Sequence, residues 1–305
     1  MREAELLSRI RAIFDRHQMK PDLLVDNGDD GAIIAPKGRE IIVAADVAVE
    51  GIHFNRHWSS PRDIGRKITA ANLADICAMG GWPEYLIVTA VIPQSWINDV
   101  EEIARGIAHE ADLVGAAIIG GDLATGNELS ISITAIGYCE RKLLRSGAKI
   151  GDSVLISHVP GWSAAGLSLL QSGINPTTAE EKRAIEQHCH PAIDYARYRS
   201  TYPFLNSATD ISDGLLVDAS HIASASGVSL ELKSSQLVDE ELALLGDPRP
   251  WMLGGGEDHV LLVTSATPEK CLGFIEIGEV VSGDGEVRLD GETIESAGFQ
   301  HEWRS

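Results

Sequence analysis

Apolar positions along the chain fall into two rhythms, and the switch between them predicts the elements. Leu6, Leu7, Ile10, Ile13 and Phe14 recur at helical spacing, so residues 3–17 predict an amphipathic helix. Residues 25–31 are rich in Asp, Asn and Gly and predict a loop. Strands are expected at 32–35 and 41–46, around a Pro36-Lys37-Gly38 turn, the second ending at Asp46. Residues 62–79 predict a helix whose stripe is Ile64, Ile68, Ala71, Asp75 and Ala78. A strand at 85–92 and a helix at 96–114 follow, then a short buried strand, 116–119, that runs into Gly120-Gly121-Asp122. Leu129, Ile131, Ile133 and Ala135 alternate as a half-buried strand should. A turn-rich stretch at 145–152 marks a boundary, giving domains 1–145 and 146–305.

Beyond that boundary the pattern predicts a strand at 153–157, a helix at 163–172, a polar helical stretch at 178–201 and a helix at 214–226. Gly254-Gly255-Gly256 precedes a strand at 259–264, and the last thirty residues read as short strands with glycine turns. Thirty glycines and few aromatics point to an α/β or α+β chain with many tight turns. No apolar run approaches the roughly 18–20 residues of a membrane helix, and Met1–Glu5 lacks an apolar signal core, so a cytoplasmic protein is expected. Cys77, Cys139, Cys189 and Cys271 are far apart and are read as reduced and structural.

Net charge changes the picture. At −20 it argues against nucleic acid or an anionic membrane surface as a partner. Nucleotides stay open if acidic groups hold metal. Asp46, Asp122 and Asp210 each follow an apolar strand candidate, and in α/β folds ligands gather beyond the carboxyl ends of strands. In Asp210-Ile211-Ser212-Asp213-Gly214, Ser212 or Asp213 is a natural N-cap. The helix start that follows would offer N–H groups to phosphate, and the two carboxylates would suit Mg²⁺. Asp30 lies in a Gly-Asp-Asp-Gly turn, and Asp75, on an apolar stripe, needs a partner or a metal. Every one of these positions has a structural alternative: an acidic helix cap, a buried carboxylate holding backbone, or an ordinary turn residue. Carboxylates converging from both halves would repel one another and need Mg²⁺ to coexist. Such a set is what phosphoryl transfer asks for.

Other motifs carry less. Gly254–Gly256 lacks the Lys-Ser/Thr of a Walker loop. His188-Cys189-His190 has the look of a metal clip, but adjacent residues rarely reach one ion together, and it is read as a loop. Ser163 has no assignable base and is expected to cap its helix.

Taken together and in order, the motifs resemble the bacterial thiamine-monophosphate kinases of the aminoimidazole-ribonucleotide-synthetase-like superfamily. The resemblance rests on Gly28-Asp29-Asp30, Asp46 with the run from Val49 to Phe54, the run from Asn72 to Gly80, and Gly120-Gly121-Asp122. It continues through Arg145-Ser146-Gly147-Ala148, Ser163–Leu167, Asp210–Leu215 and Gly255-Gly256-Glu257-Asp258. It implies an N-terminal ATP- and Mg²⁺-binding domain that dimerises through its sheet, and a C-terminal α+β domain across a cleft. It implies transfer of the ATP γ-phosphate to thiamine monophosphate. By position, Asp30, Asp46, Asp75, Asp122, Asp210 and Asp213 would be the Mg²⁺ ligands, with Asp75, Asp210 and Asp213 catalytic. Gly121, Asp122, Arg145 and Ser212 would contact ATP, and His53, Glu257 and Phe299 the acceptor. The chain departs from the family pattern where Ala44 and Ala45 replace Ser-Thr, where Ala104 replaces a common aromatic that would stack on adenine, and where Gly161-Trp162 replaces a small acidic turn before Ser163. Related kinases or synthetases with another small-molecule acceptor are the second reading, and a non-catalytic nucleotide-binding protein the third.

Overall fold

The computed structural model describes residues 9–10, 12–14, 21–25, 33–35, 38–294 and 298. Asp30, Phe299, the loop 26–31 and most of the helix expected at 3–17 lie outside them. The chain divides into two compact units, one of residues 1–77 and 81–141, the other of 78–80 and 142–305.

The first unit holds strands β1 (Leu23–Val25), β2 (Ile33–Ile34) and β3 (Glu40–Val49), then helix α1 (Pro61–Ala78). It continues with β4 (Trp82–Ile92), α2 (Val100–Val114), β5 (Ala117–Thr125) and β6 (Ser130–Cys139). Four strands form one sheet in the order β3-β6-β4-β5, antiparallel except for the parallel β4–β5 pair. Alternation sorts its residues: Ile42, Ala48, Ile131, Ile133 and Ala135 are buried, while Ile41, Val43 and Val47 on the other row of β3 are exposed. The strands are longer than the apolar runs suggest. Asp46 and Asp122 stand inside β3 and β5 rather than beyond their ends, because the β3–β6 and β4–β5 ladders continue through both.

In α1 the buried apolar residues are Ile64, Ile68, Ala70, Leu73, Ala74, Ile76, Cys77 and Ala78. Ile64, Ile68 and Ala78 of the expected stripe are thus buried, while Ala71 and Asp75 are half-buried and the buried face is wider than the stripe. Asn72, fully buried, ties this helix to the sheet: its Nδ2 donates to the Ile68 carbonyl at 2.8 Å and its Oδ1 accepts from the Asp46 N–H at 3.1 Å. α1 and α2 touch backbone to backbone at two glycines. A Cβ on Gly65 would lie 2.1 Å from the Ile103 oxygen, and one on Gly106 2.0 Å from the Arg62 oxygen. Neither carbonyl can retreat without bending a helix, so Gly106→Ala is expected to lower the thermal midpoint by roughly 5–10 °C. Calorimetry showing an unchanged midpoint would mean the helices can separate freely.

The second unit runs β7 (Ser153–Ile156), α3 (Trp162–Ser172), α4 (Ala179–Cys189), α5 (Tyr195–Thr201), β8 (Ser207–Ile211), α6 (Leu215–Ser226), β9 (Ser229–Leu232), α7 (Glu240–Ala243) and α8 (Arg249–Gly254). It ends with β10 (Val260–Ser265), β11 (Ile275–Val281), β12 (Val287–Leu289) and β13 (Glu292–Thr293). Seven strands form a mixed sheet, β13-β12-β9-β11-β7-β10-β8. Leu215, Leu216 and Ile222 of α6 share its core with Ile211, Leu262 and Ile277. Asp210 again lies inside its strand, level with Leu261. The polar stretch 178–201 is two helices, not one. Thr178 and Glu181 form a capping box at the start of α4, and Pro191 ends it by forcing His190 to an extended φ of −158°. All four cysteines are buried and none is in a disulfide.

Candidate active site

In the first unit a cavity of about 100 Å³ opens between sheet and helices. Its walls are Val88 and Ala90 of β4, Ile103, Ala104 and Ile107 of α2, and Gly121 with Asp122 of β5. Gly121 is required there. Its φ is 156°, and a Cβ would fall 1.8 Å from the Val88 oxygen of the adjacent strand. Asp122 is exposed, and its Oδ1 accepts from the Leu123 N–H at 2.9 Å. Asp46, also exposed, is level with Ile133, Val88 and Gly121 across the sheet, one row from Asp122. Its carbonyl accepts from the Ser132 hydroxyl at 3.0 Å. Just past β3, the Nδ1 of half-buried His53 accepts from the Val49 N–H at 3.1 Å, which places the neutral ring's hydrogen on Nε2.

In the second unit the strand end β8 and the turn before β10 meet. Asp210 is 4% exposed, and its Oδ2 lies 3.1 Å from the Nδ1 of His259, itself 6% exposed. Beside it the Arg145 Nε donates to the Thr209 hydroxyl at 3.1 Å, and the Arg145 carbonyl accepts from Ser226. The helix start differs from expectation. The N-cap of α6 is Gly214, with no side-chain cap of its own. Neither Ser212 nor Asp213 caps it. Instead the N–H groups of Ser212, Asp213 and Gly214 all donate to one oxygen, the Oδ2 of Asp218, at 3.1, 3.1 and 3.2 Å. A carboxylate of the chain thus occupies the N–H groups of the turn that leads into the helix. Asp218 is 1% exposed. Burial pushes its carboxyl up to about 7, and the charges of Asp210 and Asp213 add to the rise against two of those N–H bonds.

Asp258 plays the same part for α3. Fully buried, it accepts from the Ser163 N–H at 2.9 Å and the Gly161 N–H at 2.6 Å, and burial raises its carboxyl to about 6 against those bonds. The cap expected of Ser163 therefore comes from a residue far along the chain. The Ser163 hydroxyl instead meets the His188 Nδ1 at 3.2 Å, and the Glu257 carboxylate lies 3.6 Å from the same nitrogen. His188 is 4% exposed and belongs to this network; with Cys189 it closes α4 instead of lying in the expected loop. Glu257 has φ 62° and donates its N–H to the Ser212 carbonyl at 2.8 Å, which ties the two motifs together.

The structure thus joins Arg145, Asp210, Ser212, Asp213 and Glu257 through short links. It adds Asp218 and His259, which the sequence did not single out, and gives His188 and Asp258, known so far only as parts of motifs, places in the same network. For Asp218 a signal existed: it is a carboxylate within a strongly apolar helical run. Among the described residues no group of three or more His, Cys, Asp or Glu is arranged to hold a metal. Mg²⁺ rarely asks for such a cage. It takes one or two carboxylates and completes its shell with water and phosphate. Asp210 and Asp213 fit that mode, as hard oxygen donors whose combined field already disfavours the charge on Asp218.

Residues 28–139 match the family model "AIR synthase related protein, N-terminal domain". The thiamine-monophosphate kinase of Mycobacterium tuberculosis is 36% identical over 296 residues, covering 92% of this chain and 87% of that one. The thiamine-monophosphate kinase of Aquifex aeolicus is 33% identical over 285 residues, covering 90% and 92%. Among solved structures, the one described as "AaThiL complexed with AMPPCP and TMP" superposes with a TM-score of 0.83 at 32% identity, covering 99% of each chain. The chain belongs to the thiamine-monophosphate kinase family, built on the AIR-synthase-related fold.

Proposed function

We propose that the protein transfers the γ-phosphoryl group of ATP directly to the phosphate of thiamine monophosphate, giving thiamine diphosphate and ADP. The observation that carries this reading is the match, across 99% of both chains, to the structure described as a complex with AMPPCP and TMP. Apolar walls, one side opened by Gly121, suit the cavity of the first unit to adenine, with Ala104 at its wall leaving room that a larger side chain would take. Asp46, Asp75, Asp122, Asp210 and Asp213, with Asp30 outside the described residues, are the proposed Mg²⁺ ligands. Bound there, the ion would neutralise the phosphate oxygens and fix their geometry. Arg145 offers a planar cation to phosphate, and Gly121, Asp122 and Ser212 are assigned to ATP along with it. His53, Glu257 and Phe299 are assigned to the acceptor. An acceptor phosphate oxygen attacks the γ-phosphorus in line as the bond to the ADP oxygen breaks, so no side chain is phosphorylated.

The exposed row Ile41, Val43 and Val47 of β3 supports a homodimer joined through this sheet. No helix among the described residues is long and apolar enough to cross a membrane, and a cytoplasmic site of action fits a kinase that draws on ATP.

With ATP, Mg²⁺ and thiamine monophosphate, the purified protein should release ADP and thiamine diphosphate one for one. Turnover confined to another small-molecule acceptor would replace this reading. For the nucleotide pocket, Ala104→Glu puts a carboxylate into the apolar cavity and should raise the KM for ATP at least about tenfold with little change in the KM for the acceptor. An unchanged ATP KM would take the base out of this cavity.

A further inference from the structure

The turn from Gly256 to His259 is held in a conformation that side chains resist. Glu257 and His259 both have left-handed φ, 62° and 51°. Backbone bonds pin the turn on each side. The Glu257 N–H donates to the Ser212 carbonyl at 2.8 Å, the His259 N–H to the Ile211 carbonyl at 3.1 Å, and the Tyr198 hydroxyl to the His259 carbonyl at 2.9 Å. Between them Asp258 is locked to the start of α3. Strain maintained by this many bonds calls for a use. At His259 the geometry supplies one: the buried imidazole faces the Oδ2 of Asp210 at 3.1 Å. Between a carboxylate and an imidazole nitrogen the hydrogen resides on nitrogen, so Nδ1–H donates.

We infer that His259 is a positioning residue for the cation site: its Nδ1–H holds Asp210 in one rotamer by engaging Oδ2, which leaves Oδ1 to meet the metal. The inference rests on the reading of Asp210 as a metal ligand. A hydrogen bond from outside the ligand set fixes a carboxylate's orientation and so its affinity for the ion. Asp210 sits in a strand whose backbone is already fixed by β10, so the only freedom left to remove is that of its side chain.

The donor atom makes the claim testable. Asn places its amide nitrogen about where Nδ1 stands and tolerates left-handed φ, whereas Gln places its amide near Nε2. Mn²⁺ binding, read by electron paramagnetic resonance with AMPPCP present, separates the cases without any turnover. His259→Leu and His259→Gln should weaken Mn²⁺ at least about tenfold, and His259→Asn should stay within about threefold of the parent. If the Leu variant does not fold, the Asn and Gln pair alone decides. Asp210→Asn is measured alongside. Should it bind Mn²⁺ as the parent does, Asp210 is no ligand and both readings fall. If Asp210→Asn weakens binding while His259→Leu and His259→Gln match the parent, the role of His259 alone is overturned. Equal weakening by Asn and Gln would also overturn it.

Discussion

Asp210→Asn lowers kcat/KM for phosphoryl transfer at least about a hundredfold and leaves the protein folded. The substitution preserves shape and an oxygen that can still accept from His259, and it deletes one negative charge. Asp210 is 4% exposed, so that charge works at low dielectric, where its attraction for a cation is strongest. Stability should not suffer, because the change also removes the repulsion that Asp210 exerts on Asp218. Asp75→Asn, on the edge of α1, is expected to lose activity to a similar degree. Unaltered kinetics with either variant would remove that residue from the site. A parallel loss of folding, seen by calorimetry, would turn the effect on Asp210 into a structural one.

The second large effect is a dependence of stability on pH that one carboxyl governs. In an unfolded chain Asp218 titrates near 3.8, whereas in the folded protein burial and its acidic neighbours raise it to about 7. Between those values the folded form keeps a proton that the unfolded form has released. The stability that this proton represents is fully present below about pH 4 and is lost as pH rises toward 7. Asp218→Asn removes the titration and keeps an oxygen for the three N–H groups. Its stability relative to the parent should be near zero at pH 4 and rise to about 2–4 kcal/mol by pH 8 in metal-free buffer. Asp258, raised to about 6, adds a slope of the same sign to both proteins and cancels in the difference. Urea denaturation at a series of pH values measures it. A difference that does not change with pH would show that Asp218 is ionised in the folded state throughout.

These two carboxyls also show where the sequence stopped being informative. Period and turn chemistry place most helices and strands to within a few residues, because local sterics and one-sided burial set both. The β3–β6 ladder is a long-range event, so no local signal says that Asp46 stands inside a strand rather than after it. Capping is similar. A helix start preceded by Ser212 and Asp213 looks self-capped, yet Asp218, one turn on, folds back and takes all three N–H groups. Ser163 stands in the first turn of its helix, but its N–H finds Asp258 from 95 residues away. The acidic character of the site was legible in Asp210 and Asp213. Of the buried supports beneath it only Asp218 left a trace, as a carboxylate in an apolar helical run, and its role was not legible, since a carboxylate that serves backbone and one that serves a ligand are the same letter.

The kinase reading is tested most directly by a single turnover with ATP labelled at the γ-phosphate and thiamine monophosphate in excess. The account predicts that the label passes into the terminal phosphate of thiamine diphosphate as fast as ADP forms, with none on the protein at any time. Label that accumulates on a side chain, or that emerges only as inorganic phosphate, would contradict it.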